Sequence, residues 1–342
     1  MVITGKDSKI FWGKESSWKA GLTGVHYPFN PMETIKVVKP TYSQKQIRTG
    51  ESLDFSITWS EFLNVGEGEI NTIYKDPFIL TTAFTHKTST GFGPGLTGVI
   101  TADFSDDDDK DYLWIHYHKH DQEEIQNIDR TLKGIQITSY GWTCEKGDLV
   151  REKFGVKVPN IETGVVAFTT DSDFDDGNWS NWNEHSDVGY HSTQVLISFC
   201  GSGLSDLGFK WENFDLSCAL EKSQEHTGES KIASLQWEGN KEYTLSVTGR
   251  FAGANKRKLI EEAESDYINK AKGIVRVSLT DDDGNVSYLQ FTNGFVDGID
   301  NYDIPAAAES WQGTVTFKAN KPVISFNGLF TEETDPSSRI TT

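Results

Sequence analysis

Three histidines at alternate positions, His116, His118 and His120, are the first residues of this sequence whose spacing suggests chemistry. Alternate residues of a β-strand share one face, so the three imidazoles would form a row, and imidazoles spaced in this way can share a zinc ion. No cysteine or glutamate is clearly placed to complete such a site. The alternative is an exposed strand face without a bound ion, and we assign no metal ligands here.

A second candidate is the acidic run Asp171–Asp176, which has carboxylates at alternate positions and is followed by Gly177. The spacing is similar to that of a calcium-binding loop. Two features depart from that pattern, because the glycine falls one place late and the twelfth position is Trp182, which cannot ligate calcium. We adopt the alternative interpretation, a solvated acidic linker, and predict no metal and no cofactor.

Pairs of carboxylates offer a third kind of chemistry. Glu212 with Asp215, or Glu123 with Glu124, have the residue types that glycoside hydrolysis needs, but nothing in the sequence fixes their separation. The sequence also lacks GxSxG, HExxH, P-loop and dinucleotide-binding motifs. We therefore assign no catalytic residues and predict that the chain is not an enzyme.

Tryptophan gives the main alternative function. Trp179, Trp182 and Trp211, among ten tryptophans, could line a sugar-binding face, because an indole combines a large apolar surface with a polar N–H. The same side chains could equally be core and interface aromatics. A carbohydrate-binding β-sandwich therefore stays open as an alternative, with a cytoplasmic hydrolase as a third possibility that lacks any catalytic motif.

Charge argues against tight binding to nucleic acid. The formal net charge of the 342 residues is -19, whereas DNA-binding proteins concentrate Lys and Arg to neutralise phosphates. The only dense basic run, Lys256 to Lys258, is followed at once by Glu261, Glu262 and Glu264. Mixed charges of this kind usually mark a solvated helix face.

Cysteine content and hydropathy indicate a protein that folds in a cytoplasm. The three cysteines, Cys144, Cys200 and Cys218, are scattered and odd in number, which fits neither a disulfide framework nor a zinc site. No window approaches the roughly 20 apolar residues needed to cross a bilayer, and residues 1–14 do not resemble a secretory signal.

Alternation of apolar and polar residues over long stretches predicts strands. The exceptions are two candidate helices, at 71–84 and 255–271, a long polar loop at 88–110, and an acidic boundary at 163–187. We therefore predict a mainly β fold of two tandem domains, residues 1–163 and 164–342. Each would be a β-sandwich or barrel with a flanking α-helix.

A short internal repeat favours duplication of one domain. Residues 49–52 (TGES), followed by Trp59, recur as residues 227–230 (TGES), followed by Trp237, at a constant offset of 178 (227 − 49 = 237 − 59). An alignment of residues 53–57 with 243–247 fits equally well at another offset. Both alignments share the order of elements in each half, which is the signature of a repeated unit.

Three stretches give the chain a resemblance to a known family. They are residues 13–21 (GKESSWKAG), residues 47–50 (IRTG) before an alternating strand, and residues 129–137 (DRTLKGIQI) before a strand that ends at Val158. Together they resemble the major tail tube proteins of long-tailed phages and related viruses, and the likeness spans most of the chain in pattern.

The resemblance implies a structural protein of the virion tail, assembled in the host cytoplasm. In this family, β-sandwich or barrel domains flanked by a helix form rings of six domains, and the rings stack into a tube. A duplicated chain would form trimeric rings and an unduplicated one hexameric rings. The implied partners are further copies of the chain and other tail proteins, such as tape measure, tail terminator and baseplate hub, with no membrane.

DNA would pass through the tube without specific binding, because acidic walls repel phosphate. The segment 88–110 would reach the next ring.

Overall fold

The computed structural model describes residues 8–15, 17–19, 27–28, 32–37, 41–48, 55–75, 78–83, 87–90, 98–102, 113–119, 128–163, 188–198, 209–225, 235–251, 273–282, 284, 286–300, 312–319 and 322–326. Most of these residues lie in β-strands, which confirms the prediction of a mainly β chain.

The described strands follow one another along the chain, with one short α-helix and a 3-10 helix (Tyr190–Ser192) among them. In chain order they are β1 (Ser8–Lys14), β2 (Tyr27–Pro28), β3 (Met32–Val37), β4 (Thr41–Arg48), β5 (Phe55–Asn64), β6 (Gly66–Ile73), β7 (Lys87–Thr90), β8 (Gly98–Ala102), β9 (Leu113–Lys119), β10 (Ile128–Glu145), β11 (Arg151–Val158), β12 (Asn160–Thr163), β13 (Thr193–Ser198), β14 (Phe209–Glu225), β15 (Leu235–Phe251), β16 (Gly273–Thr280), β17 (Val286–Asp300), β18 (Gln312–Ala319) and β19 (Pro322–Phe326). The helix, α1 (Phe78–Thr81), follows β6.

Alternating residues explain why these segments form half-buried strands. In β14, the buried residues Phe214, Leu216 and Cys218 alternate with the exposed residues Asp215 and Ser217. A strand turns successive side chains to opposite faces, so this pattern buries one face only. Removing a side chain the size of Phe or Leu from water stabilises the fold by about 1.5–3 kcal/mol.

Eight antiparallel strands form what we call the main sheet. Their order is β3–β6–β11–β10–β14–β15–β18–β17. A first outer sheet has the order β2–β1–β9–β10–β12, and a second outer sheet has the order β7–β8–β19–β17–β16–β13. The long strands β10 and β17 each take part in two sheets, so they tie each outer sheet to the main sheet. The strands β4 and β5 pair with each other.

The pairings of the first half of the chain recur in the second half, with bulges at matching places. Pairing of β10 with β9 is interrupted between Leu132 and Ile135. Pairing of β17 with β16 is interrupted between Phe291 and Gly294, at an offset of 159 (291 − 132 = 294 − 135). Such bulges bend a strand, so both long strands leave their outer sheet at the same relative position.

A second pair of bulges has the same offset. Pairing of β10 with β11 shifts between Ile137 and Ser139, and pairing of β17 with β18 shifts between Val296 and Gly298 (296 − 137 = 298 − 139 = 159). The strands β9, β10, β11 and β12 therefore correspond to β16, β17, β18 and β19.

The outer strands of each half also correspond. Pairing of β3 with β6 shifts between Met32 and Thr34, and that of β14 with β15 between Trp211 and Asn213, at an offset of 179 (211 − 32 = 213 − 34). The four-stranded unit β3–β6–β11–β10 is thus repeated as β14–β15–β18–β17.

The strands β4 and β5 correspond to the C-terminal part of β14 and the N-terminal part of β15. Lys45 pairs with Trp59, and Ser223 pairs with Trp237, both at the offset of 178 (223 − 45 = 237 − 59). This register favours the first of the two alignments that the sequence left open. The domain boundary between residues 163 and 164 stays a prediction, because residues 164–187 lie outside the described part of the chain.

The pairing of β10 with β14, which we call the seam, joins the two units. On its buried side, Tyr140 lies opposite Cys218 and Trp142 opposite Leu216. The strands approach closely at Gly141, where a Cβ atom would meet the carbonyl oxygen of Leu216 at 2.8 Å. Glycine is required at this contact because any side chain would force the strands apart.

Two predictions about elements need correction. The segment 71–84 is not one helix, because β6 continues to Ile73 and α1 spans only Phe78–Thr81. The segment 88–110 is not a plain loop, because β8 within it pairs with β19 of the second half.

The second candidate helix, 255–271, lies outside the described residues. Within the described residues, no helix has the length and apolar character needed to span a bilayer.

Candidate assembly surface

The main sheet has one buried face and one face that is partly or fully exposed, which we call the polar face. Its centre carries small and hydroxyl-bearing residues, namely Ser139, Gly141, Thr143, Ser217, Thr244, Ser246, Thr248, Thr314 and Thr316. Pairs of hydroxyl groups on neighbouring strands stabilise the centre of this face. The side-chain oxygens of Ser246 and Thr316 are 3.2 Å apart, and those of Thr248 and Thr314 are 2.7 Å apart. Such pairs stabilise neighbouring strands by about 0.2–1 kcal/mol each.

Charged residues on the polar face form ion pairs. The Lys153 ammonium lies 2.9 Å from Glu69, and the Lys318 ammonium lies 2.9 Å from Glu242. The lysine also lowers the pKa of Glu69, through a hydrogen bond to its carboxylate. Pairs this exposed add little stability, about 0–1 kcal/mol, so their main effect is to neutralise the local charge.

Two arginine pairs flank the same face. Arg151 Nε lies 3.0 Å from Glu33 Oε1, and Arg250 Nε lies 2.9 Å from Glu212 Oε1. Arg151 also donates to Asp148, and this hydrogen bond lowers the pKa of the Asp148 carboxyl. These arginines are thus bound to carboxylates of the same chain.

The N-terminal segment is fixed to the bulge of β10 through Glu15. This carboxylate is only 4% exposed and accepts the backbone N–H of Gly134 at 2.9 Å and that of Lys19 at 2.8 Å. A buried backbone N–H needs a partner, and a charged acceptor makes a strong one. The contact joins parts of the chain that are 119 residues apart.

Gly134 itself accepts two hydrogen bonds at its carbonyl oxygen. Trp18 Nε1 donates at 3.3 Å, and Gln224 Nε2, from the distal part of β14, donates at 3.4 Å. Gly134 has φ +68, and a Cβ atom there would meet side-chain atoms of Lys19, Pro159 and Trp18 at 2.8 Å each. This bulge therefore connects the N-terminal segment, the first unit and the second unit.

A second buried polar cluster links the main sheet to the second outer sheet. The Glu152 carboxylate, 1% exposed, accepts the Trp142 indole N–H at 3.0 Å and the Thr72 hydroxyl at 3.1 Å. Tyr74 packs edge-on against Trp142 with ring centroids 5.3 Å apart, and its hydroxyl makes a short contact with Ser287 of β17. Buried and hydrogen-bonded on both sides, these groups fix how the two units meet.

The predicted metal candidates are placed as follows. His116 lies in β9, where its backbone pairs with Phe11 on one side and Thr131 on the other, and His118 pairs with Lys9 and Asp129. His120 and the run Asp171–Asp176 lie outside the described residues. In the part of the chain that the structure describes, no group of three or more His, Cys, Asp or Glu side chains is arranged to hold a metal ion.

The carboxylate pair Glu212 and Asp215 has other contacts. Glu212 is bound to Arg250 and also lies 3.5 Å from Lys146, whereas Asp215 is an exposed residue of β14. Although the side chain reaches the surface, partial desolvation by the surrounding protein raises the pKa of Asp215, and Lys153 opposes this effect. The pair Glu123 and Glu124 lies outside the described residues.

Trp211, a candidate for sugar binding, packs within the protein. Its ring centroid lies 4.4 Å from that of Tyr190 and 5.5 Å from that of Phe214, and the Tyr190 hydroxyl donates to its carbonyl oxygen at 2.8 Å. It is therefore a structural aromatic. Trp179 and Trp182 lie outside the described residues.

Cys144 and Cys218 are free and buried, as expected for small core residues. Burial raises the pKa of both thiols, that of Cys144 to about 11. Cys200 lies outside the described residues.

Sequence reasoning did not single out Glu15 or Glu152. Glu15 lies in the segment 13–21 that carries part of the family resemblance, but the resemblance does not predict its contact with Gly134. Glu152 could have been found from its position, because it is a charged residue at a place in β11 where alternation requires a buried side chain.

Comparison with known proteins gives partial similarity only. No protein-family model and no curated protein matches the sequence. A chain in the baseplate of the anti-feeding prophage (AFP), 6-fold symmetrised, is 14% identical with a TM-score of 0.28, covering 38% of this chain and 91% of that one. A chain in the tail of empty GTA particles, refined with C6 symmetry, is 14% identical with a TM-score of 0.29, covering 40% and 96%.

A chain in the AFP tube-terminating cap is 16% identical with a TM-score of 0.27, covering 39% of this chain and 88% of that one. At these scores the likeness is partial.

Proposed function

We propose that the chain is a non-enzymatic structural subunit of a viral tail tube, which assembles with copies of itself into stacked rings around a channel for genome passage. The proposal joins the sequence resemblance, carried by residues 13–21, 47–50 and 129–137, to the repeated strand pairings of the main sheet. It places the protein in the virion tail, assembled in the host cytoplasm.

The observation that carries the proposal is the seam. It joins two corresponding four-stranded units through unlike edges, β10 of the first unit and β14 of the second. Such a head-to-tail contact can be repeated between chains, and it generates a ring when the rotation between units closes. A closed ring leaves no sheet edge exposed inside the tube.

The polar face is the side of the main sheet that suits a channel wall. The opposite face packs with residues of both outer sheets in one hydrophobic core, as Ile115 of β9 and Val277 of β16 show. Because the outer sheets cover that side, the polar face is the one that the described residues leave free to line a channel.

The wall would pass DNA without holding it. Lys153, Lys318, Arg151 and Arg250 are bound to carboxylates, so they offer no unpaired positive charge to a phosphate. The described polar face carries both signs of charge. We therefore assign to this face cations that are neutralised by carboxylates. It is not the uniformly acidic wall that the net charge of -19 suggested.

The proposed partners are copies of the same chain, together with a tape measure, a tail terminator and a baseplate hub. The repeated unit favours three chains for each ring of six units. A carbohydrate-binding role has weaker support, because Trp211 packs against Tyr190 and Phe214.

Negative-stain electron microscopy of the purified protein tests the proposal. We expect rings or tubes with a central channel. A protein that stays monomeric at high concentration and in the presence of tape-measure protein would overturn it. A glycan array run on the same sample would then test the carbohydrate-binding alternative.

A further inference from the structure

The strand β17 passes from the second outer sheet to the main sheet at residues 292–294, which we call the crossing. Its pairing with β19 ends at Phe291, and its pairing with β18 begins at Phe295. On its other side, the pairing with β16 goes from Phe291 to Gly294 and omits Asn293. Asn293 therefore has no cross-strand partner in the described pairings, as is usual for the extra residue of a bulge.

Asn293 also lacks the contacts that hold the corresponding bulge of the first half. Its side chain is half-buried, and within the described part of the chain its amide makes no hydrogen bond. The corresponding residue is Gly134 (293 − 134 = 159). There the Glu15 carboxylate accepts the backbone N–H, and Trp18 and Gln224 donate to the carbonyl oxygen. A backbone without such partners opens more readily, so the crossing is the less constrained of the two bulges.

The residue after Asn293 is a glycine. Among the described asparagines, Asn293 is the one that a glycine follows. Glycine has no side chain to shield its backbone nitrogen or to restrict the backbone around it. Asparagine is a thermolabile residue, because the next backbone nitrogen can attack its side-chain carbonyl carbon. The crossing therefore combines a reactive pair of residues with a backbone that no described strand holds at Asn293.

We propose that Asn293 converts without an enzyme to aspartate and isoaspartate, through a cyclic imide formed with Gly294. The Gly294 nitrogen loses its proton to base and attacks Asn293 Cγ. The new C–N bond closes the ring, and the bond from Cγ to the amide nitrogen breaks and releases ammonia. Water then opens the ring, giving isoaspartate by attack at the main-chain carbonyl and aspartate by attack at the side-chain carbonyl. The reaction consumes only water, and it does not depend on the proposed tube function.

The products should weaken the attachment of β17 to β16. Both products replace a neutral, half-buried amide by a carboxylate, in a chain whose net charge is already -19. Isoaspartate also adds a methylene to the backbone of β17. There is little room for it, because a Cβ atom on Gly294 would already meet Val275 Cγ2 at 2.8 Å. An enlarged backbone in a packed site forces its neighbours to shift.

Peptide mapping by mass spectrometry tests the proposal. The folded protein is kept in mildly alkaline buffer at physiological temperature and digested at intervals. We expect the peptide that contains residue 293 to split into asparagine, aspartate and isoaspartate forms. Conversion should be faster at higher pH, because the attacking nitrogen must lose a proton. An Asn293 amide that stays intact in the folded protein, while protein unfolded in guanidinium loses it, overturns the proposal.

A matched variant tests the effect of the crossing. Thr248→Asn places an asparagine before Gly249 at a half-buried position, so the local sequence and exposure resemble those of Asn293. Thr248, however, is paired with Asn213 on one side and with Thr314 on the other. Because these pairings hold the backbone extended, this site should convert several-fold more slowly than Asn293. Equal rates at the two sites would show that the crossing has no effect, and would overturn the proposal.

Two further measurements test the cyclic route. Asn240, which is exposed and followed by Lys241, should keep its amide under the same conditions. Asn293→Gln lengthens the side chain by one methylene, which disfavours ring closure, so the amide of this variant should persist. Loss of either amide at the rate of wild-type Asn293 would indicate direct hydrolysis and overturn the cyclic imide.

Discussion

Glu33 and Glu212, 179 positions apart (212 − 33), stand at the same place in two copies of one strand pairing. Each lies at a bulge, between Met32 and Thr34 in β3 and between Trp211 and Asn213 in β14. Each carboxylate is bound to the Nε of an arginine, at 3.0 Å for Arg151 and 2.9 Å for Arg250. The two halves of the chain therefore share a strand irregularity with a glutamate bound to an arginine beside it, although the arginine comes from β11 in the first half and from β15 in the second.

Removing the Glu15 carboxylate should release the N-terminal segment. Glu15→Ala leaves the buried N–H of Gly134 without its acceptor, which costs about 1–3 kcal/mol. We expect a lower urea midpoint and faster hydrogen exchange at the Gly134 amide. Glu145→Ala, at an exposed glutamate of β10, the strand that contains Gly134, serves as the control. It should change stability by less than about 0.5 kcal/mol. Equal effects of the two substitutions would count against an anchoring role.

Substitutions at two glycines with positive φ should distinguish the cost of backbone strain from the cost of steric contact. Gly134→Ala meets three side chains at 2.8 Å in addition to its strained backbone, whereas Gly147→Ala, at φ +84, has nothing within 4 Å. The second substitution should cost about 1–2 kcal/mol from backbone strain alone, and the first should cost clearly more. Thermal unfolding of both variants checks this order, and a reversed order would show that the bulge adapts to a side chain.

Releasing lysines on the polar face should make the tube hold DNA. Glu69→Gln and Glu242→Gln remove the carboxylates that lie 2.9 Å from Lys153 and from Lys318. Each freed cation that contacts a phosphate should add about 0.9 to the slope of log binding constant against log salt concentration. DNA retention by assembled tubes at several salt concentrations measures this slope. Glu145→Gln is the control, and an unchanged slope in the double variant would contradict the assignment of the wall.

Alkaline pH should destabilise the fold through Cys144. Burial raises the pKa of this thiol from 9.0 to about 11, so the unfolded chain loses the proton first as the pH rises. Stability is therefore fully present below the ordinary thiol pKa and falls between the two values. Urea midpoints measured over this range should fall less steeply for Cys144→Ala than for the wild type. Parallel curves would show that Cys144 does not contribute to the slope.

Local pattern was enough to predict the strands but not how they pair. Alternation predicted the strand that ends at Val158, because that strand has one buried face. It could not show that β10 continues from Ile128 to Glu145, because a bulge at Gly134 breaks the period of two. The helix predicted at 71–84 failed because β6 and α1 are consecutive short elements, and their apolar residues together imitate a helical stripe.

The assembly surface was less accessible to sequence reasoning. The repeat of residues 49–59 gave an offset of 178, but how the two units join depends on the seam, a contact between residues about 80 positions apart such as Tyr140 and Cys218. The acidic composition suggested a repelling wall, whereas local pairs such as Lys153 with Glu69 determine which charges a passing phosphate would meet.

The hairpin of β7 and β8 makes the two halves of the chain differ on their outer sheets, although their main-sheet units repeat. It comes from the first half, yet it extends the sheet of the second half by pairing with β19, while the corresponding strand β12 gains no such neighbour among the described residues. In the proposed tube, the outer surface would therefore alternate between units with this hairpin and units without it. A protein bound to the outside would have to match the number of chains rather than the number of units.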